Sequence, residues 1–159
     1  MNQNNFSKWL KIIIIGIGLC GVVVYLILLP FWGKSVFLAM PEFTHCYWPW
    51  LILFWITGVP CYAALFLGWK ISTEIGRDNS FSMENAVSMK KISMLAIFDT
   101  LIFFIGNITF LILNISHPGI LLISLILDSF GIAVAVTALV VSHLIYKAAK
   151  LQEDTQFTI

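Results

Sequence analysis

The stretch that decides the fold is residues 12–32, IIIIGIGLCGVVVYLILLPFW, which contains no charged side chain. A helix of about 20 apolar residues crosses the roughly 30 Å hydrocarbon layer of a bilayer. Three further runs of this kind follow, at 48–69, 92–113 and 120–145. Because lipid offers no hydrogen bonds to backbone groups, we expect every run to be helical. The sequence therefore predicts an all-α integral membrane protein, a four-helix antiparallel bundle in a single domain.

The first run has an alternative interpretation as a signal peptide, because Lys8 and Lys11 precede it. It is longer than the apolar core of an ordinary signal peptide, and no convincing cleavage site follows it. We therefore expect it to be retained as the first span.

The overall composition excludes two broad classes of protein. Of the 159 residues, 60% are hydrophobic and 11% are charged, and the mean hydropathy is +0.95. Soluble domains are nearer half apolar and a quarter charged, which excludes a soluble globular domain. The net charge of +1 lacks the basic excess of nucleic-acid-binding proteins. We expect the lipid bilayer as the surroundings and no direct contact with nucleic acid.

The distribution of basic residues predicts the topology. Eight of the nine lie in the first 11 residues, the loop 70–91 and the tail 146–159, and the remaining one is Lys34. Because Lys and Arg accumulate on the cytoplasmic side, both termini and the central loop are predicted to be cytoplasmic. The two hairpins then share one orientation, which excludes a transporter built from inverted repeats.

Four polar side chains inside the spans are candidates for function: Asp99, Asp128, Asn107 and His143. Counting along each helix places Asp99 about 10 Å from the cytoplasmic end of its span and Asp128 about 12 Å from the outer end. This predicts different depths, with Asp128 near Asn107 and Asp99 near His143. The favoured interpretation is hydrogen bonding between helices, with His143 in the bundle or at the interface. A proton- or ion-handling role and contact with a partner's span remain open.

Small residues predict where helices approach closely. Gly131, Ala135 and Ala138 form a stripe on the fourth span. We interpret this stripe as packing within the chain rather than as a dimer interface.

No motif indicates catalysis, a metal or a cofactor. The three cysteines, Cys20, Cys46 and Cys61, form no metal-binding or disulfide pattern, and Cys46 is expected to be exposed outside the membrane. Whether Cys46 is modified stays open. The sequence contains no nucleophile elbow, phosphate loop or metalloprotease motif. We therefore predict a protein that is not an enzyme and has no cofactor.

The cytoplasmic segments carry local structural signals. Ser82 is a plausible N-cap, and a helix should run from Met83 directly into the third span. Phe81 would lie just outside that helix. The tail should extend the fourth span by a turn or two and then end in a strand-like stretch, Thr155–Ile159.

These segments also carry a resemblance. The central pattern is Phe81-Ser82, then Glu84-Asn85, then Lys90-Lys91-Ile92, and the chain closes on Phe157-Thr158-Ile159. Both patterns resemble the YoaS-like family, small four-span bacterial membrane proteins of unknown function. The resemblance implies a location in the bacterial cytoplasmic membrane. Genes of that family often lie beside a gene for a helix-turn-helix regulator, which by analogy implies a regulator as the cytoplasmic partner.

Three functions follow as hypotheses. The first is a non-enzymatic membrane module that binds or modulates a cytoplasmic partner, with contacts at Phe81, Glu84, Asn85, Phe157 and Ile159. The second is a small transporter or channel that uses Asp99 and Asp128, with a homo-oligomer left open. The third is an accessory or immunity-type subunit of a membrane complex.

Overall fold

The computed structural model describes residues 3–39 and 41–156, and nearly all of them are helical. The helices are α1 (Gln3–Val23), α2 (Leu29–Ala39), α3 (Tyr47–Gly76), α4 (Met83–Ile112) and α5 (Pro118–Gln156). A π-helical stretch, Val24–Leu28, joins α1 to α2, and a 3₁₀ segment, Pro41–Cys46, leads into α3. Four continuous helical segments are long and apolar enough to cross a membrane, which confirms the predicted all-α class and number of spans.

The π-helical stretch has a cause in the sequence. Pro30 has no backbone N–H, and its ring would collide with the carbonyl one turn earlier in a regular helix. The chain widens instead, and the Leu29 N–H bonds to the Val24 carbonyl. The carbonyl of Tyr25 accepts a hydrogen bond from the Trp55 indole at 3.0 Å. The widened turn therefore becomes a contact between the first two spans.

Small and polar residues form the interface between α4 and α5. On α5, the buried positions are separated by three, four or seven residues, the spacing of a helix–helix seam: Ser124, Asp128, Ala135, Ala138 and Ser142. The Ser142 hydroxyl donates to the Ala86 carbonyl, and the Ser93 hydroxyl donates to the Ala135 carbonyl, both at 2.7 Å. A methyl group added at Gly131 would collide with the Thr100 hydroxyl. The predicted small-residue stripe is confirmed as packing within the chain.

The burial pattern is inverted relative to a soluble protein. Among the residues whose burial the structure describes, ten buried ones are polar and six are hydrophobic. Large aliphatic and aromatic side chains instead cover the outer surface of every span. Hydrocarbon surroundings favour this arrangement, because apolar side chains gain nothing by leaving lipid while polar ones need partners.

The helices are arranged in an open row. Within the described residues, α1 packs on α3, α3 on α4 and α4 on α5, and α1 does not contact α5. The sequence predicts a bundle, and the structure corrects this prediction because the row is not closed. Hydrophobic periodicity predicts which residues face lipid but not whether the first and last helices meet.

The row has two distinct ends. Reciprocal bonds between Ser7 and Ser72, together with the Ala86–Ser142 contact, bring the first residues, the central loop and the end of α5 together. We call this the basic end (residues 3–11, 70–91 and 146–156), since it holds eight of the nine basic residues. The turn end comprises residues 33–39, 41–47 and 113–119.

Candidate functional site

At the basic end, two serines lock α1 against α3. The Ser7 hydroxyl donates to the Ser72 carbonyl at 2.6 Å, and the Ser72 hydroxyl donates to the Ser7 carbonyl at 3.0 Å. Gly76 permits this approach, because a Cβ there would lie 2.8 Å from the Ser7 hydroxyl oxygen. The start of the chain is thereby fixed beside the central loop.

A buried amide organises the central loop. Ser82 accepts a hydrogen bond from the Asn85 N–H, which confirms the predicted N-cap and the helix start at Met83. The Asn85 side-chain amide donates to the carbonyls of Asn79 and Ser80 at 3.1 and 3.0 Å. Only 1% of Asn85 is exposed, so the prediction that it contacts a partner is wrong. Its role is to hold the loop on the first turn of α4.

Two of the predicted contact residues are exposed at this end. Phe81 stands out from the loop with 54% of its surface accessible. Glu84 is exposed and forms an ion pair with Lys70 at 2.9 Å, which ties α4 to α3. The other two predicted contacts, Phe157 and Ile159, lie outside the described residues.

The end of α5 projects beyond the other helices. The Ala86–Ser142 contact places the first residue of α4 near the level of Ile145, and α5 continues to Gln156. The projection is therefore about 11 residues, or roughly 16 Å. It is longer than the predicted turn or two, and Thr155 and Gln156 are helical rather than strand-like. Leu151 on this projection is 67% exposed.

The two intramembrane aspartates lie nearer in depth than the sequence predicts. Leu113 and His117 lie on the two sides of the tight turn between α4 and α5. Asp99 is 14 residues before Leu113, and Asp128 is 11 residues after His117. The difference of three residues corresponds to about 4–5 Å along the helix axes. The two carboxylates are close enough to interact electrostatically. The expectation of clearly different depths is wrong because Gly131 of α5 lies against Thr100 of α4, which places Asp128 within about one helical turn of the level of Asp99.

Most of the carboxylate oxygens lack hydrogen-bond donors. Asp99 accepts a bond from the Cys61 thiol at 3.7 Å through one oxygen. Its other oxygen and both oxygens of Asp128 have no partner among the described residues, although they are buried. Asp128 is only 6% exposed. The predicted hydrogen bonding between helices therefore holds for Asp99 and is wrong for Asp128.

Asn107 and His143 do not join this pair. Asn107 is fully buried, and its amide donates to the Phe103 carbonyl of its own helix at 2.8 Å, while its side-chain oxygen is unpaired within the described structure. Across the interface between α4 and α5, Asn107 lies nearer the level of Ser124 than the level of Asp128. His143 is exposed near the basic end, far from the level of Asp99. The predicted proximity of Asp99 and His143 is therefore wrong.

Sequence reasoning did not place Tyr25, Thr57 or Cys61 beside the aspartates. The Tyr25 hydroxyl lies beside Thr57 and Cys61 and interacts with Asp99. The Tyr25 ring packs on α3 beside Gly58, where a Cβ would lie 3.4 Å from the ring. A usable signal exists, because Tyr25 carries the one hydroxyl group in residues 12–32. We define the carboxylate cluster as Tyr25, Thr57, Cys61, Asp99 and Asp128.

The cysteines differ from expectation. Cys46 is 1% exposed, so the prediction that it is accessible is wrong, whereas Cys20 and Cys61 lie at the helix surface. Among the described residues, no group of three or more His, Cys, Asp or Glu side chains could hold a metal ion.

Comparison with known proteins places the chain among membrane proteins. Residues 34–159 match the family described as "Protein of unknown function (DUF2975)". The chain is similar to the "Uncharacterized membrane protein YoaS" of Bacillus subtilis (strain 168), with 24% identity over 153 residues. That alignment covers 95% of this chain and 96% of the relative. No solved structure matches the chain significantly.

Proposed function

The chain belongs to the DUF2975 family of membrane proteins, and we propose that it is a non-enzymatic membrane module that binds a soluble protein at its basic end. In this proposal the spans alternate in direction, both termini are cytoplasmic, and the membrane is the bacterial cytoplasmic membrane. The eight-to-one distribution of basic residues supports this orientation.

The observation that carries the proposal is the projection of α5. Helix α5 continues about 16 Å past the start of α4, beyond the length that crossing the membrane requires. On this projecting part, the apolar side chain of Leu151 is exposed. Phe81 is exposed at the same end on a loop that Asn85 holds rigid. A projecting helix with an apolar residue suits a groove on a soluble partner. By analogy with the YoaS-like family, a helix-turn-helix regulator is the partner that we propose.

A matched pair of charge substitutions tests this proposal. Leu151→Glu places a charge on the projecting apolar position, and Gln152→Glu adds the same charge at the next residue. The full-length protein is purified in mild detergent, and co-purifying soluble proteins are quantified by mass spectrometry. We expect one soluble protein whose recovery falls at least tenfold with Leu151→Glu and is unchanged with Gln152→Glu. Equal recovery with both variants would contradict the proposal.

A second candidate function is supported by the carboxylate cluster. Three of the four carboxylate oxygens of Asp99 and Asp128 are buried and have no donor among the described residues, and a charge in this environment costs at least a few kcal/mol. A proton or a cation would satisfy them. We propose, as the alternative, a small transporter or channel that uses these two residues.

Flux into proteoliposomes separates the two functions. Proton and sodium flux are measured for the native protein, for Asp99→Asn and Asp128→Asn, and for the exposed-loop control Asp78→Asn. The transporter function predicts native flux that both intramembrane variants abolish and the control retains. Absence of flux in the native protein, or flux unaffected by both variants, would exclude this function.

A further inference from the structure

The open side of the row contains a cavity that neither proposed function uses. It lies at the turn end, between the end of the first span and the start of α5, over the first turns of α3, and its volume is about 760 Å³. Pockets for small molecules typically measure roughly 300–1,000 Å³. The cavity exists because neither α1 nor α2 packs against α5 within the described structure.

The wall of the cavity is almost entirely apolar. Aromatic side chains from the first two spans face aliphatic ones from α5: Trp32, Tyr47, Trp50, Phe54, Ile120 and Ile123. The polar atoms of Tyr47 and Trp50 are already used, because they donate to the carbonyls of Pro30 and Ile115 at 3.4 and 3.3 Å. The greater part of the cavity therefore favours hydrocarbon.

One edge of the cavity is polar. The Ser116 hydroxyl oxygen is buried and has no hydrogen-bond partner within the described residues. Beside it, His117 Nδ1 accepts the Gly119 N–H at 3.1 Å, so a neutral ring carries its proton on Nε2. Among the described residues, no acidic side chain lines the cavity, and Lys34 follows the lining residue Gly33. This edge offers hydrogen-bond donors, which suit a phosphate group.

The length of the cavity argues against a helix as the occupant. Along α3 its lining extends from Tyr47 to Phe54, a distance of about 10 Å. A membrane-spanning helix of a second copy would need a groove about 30 Å long. A flexible hydrocarbon chain fits a short apolar cavity, and one amphiphile satisfies both the apolar wall and the polar edge.

We propose that this cavity binds one phospholipid, with a hydrocarbon chain among Trp50, Phe54 and Ile123 and the phosphate group beside Ser116 and His117. The site is independent of the partner surface at the basic end and of the carboxylate cluster. A bound lipid would bridge the first span and α5, which do not pack against each other in the part of the chain that the structure describes.

Native mass spectrometry of the full-length protein tests this proposal. The protein is loaded with phosphatidylglycerol or with a diacylglycerol that carries the same chains. Ile123→Trp fills the cavity, and Ile126→Trp makes the same change at a surface position of α5 that does not line it. We expect one phosphatidylglycerol retained by the native protein and by Ile126→Trp, and at least tenfold less retained by Ile123→Trp. We expect at least tenfold less diacylglycerol than phosphatidylglycerol on the native protein.

Three results would overturn the proposal. The first is that the native protein retains no lipid, whether it is a monomer or a lipid-free dimer. The second is equal retention by Ile123→Trp and Ile126→Trp. The third is equal retention of the two lipids, which would remove the role of the polar edge. Ser116→Ala removes one atom and is therefore a control in case the larger variants misfold. The preference of this variant for phosphatidylglycerol over diacylglycerol should fall several-fold. An unchanged preference would contradict the assigned phosphate position.

Discussion

Replacing Asp128 by alanine should stabilise the protein. Asp128 is 94% buried in the seam between α4 and α5, and neither carboxylate oxygen has a donor among the described residues. A buried polar group without a partner costs about 1–3 kcal/mol. Alanine matches the small residues that occupy neighbouring seam positions, such as Ala135, and the space it leaves costs about 1 kcal/mol. The expected net effect is a gain of about 1 kcal/mol in the free energy of unfolding.

Reversible unfolding in mixed micelles, with increasing fractions of a denaturing detergent, measures this effect. Ser124→Ala is the matched control, because Ser124 is equally buried on the same seam and its hydroxyl donates to its own helix at Leu121. We expect the control to change the free energy of unfolding by less than about 0.5 kcal/mol. A loss of 1 kcal/mol or more in Asp128→Ala would refute the reasoning, because it would show that the carboxyl group is paired and structural.

Three further predictions concern contacts between elements. Ser93→Ala removes the bond to the Ala135 carbonyl and should cost about 0.6 kcal/mol, at most about 1.7, in the same unfolding assay. Asn85→Ala frees two loop carbonyls and should raise the rate of proteolysis in 77–82 several-fold without changing helix content by circular dichroism; an unchanged rate would contradict the role given to the amide. Gly131→Leu forces a side chain against Thr100 and should destabilise the protein by about 1–3 kcal/mol, whereas a neutral result would show that α4 and α5 are not in close contact there.

The sequence predicts the spans well because lipid imposes a simple rule on them. A run such as 12–32 must be helical, and its length alone identifies it as a span. The N-cap at Ser82 was equally predictable, because the cap depends on residues that are adjacent in sequence. The resemblance to the YoaS-like family is confirmed by the comparisons.

Features that depend on how helices meet were not predictable in the same way. Depths counted from hydropathy placed Asp99 and Asp128 apart, because hydropathy does not show which residues of α4 and α5 face each other, such as Thr100 and Gly131. Asn85 was predicted to contact a partner because it belongs to the central pattern that resembles the YoaS-like family, yet its amide bonds two carbonyls that local sequence does not identify. Tyr25 joins the carboxylate cluster only through its packing on Gly58 in another span.

The central claim is that the projecting end of α5 binds a soluble cytoplasmic protein, and in-cell photocrosslinking tests it most directly. A photoreactive amino acid is placed at Leu151, with a control at Ile132, which is exposed in the middle of the same helix. The account predicts one soluble protein crosslinked from position 151 and none from position 132. Adducts from position 151 that consist only of lipid or of this chain itself, or a soluble protein captured equally from both positions, would contradict it.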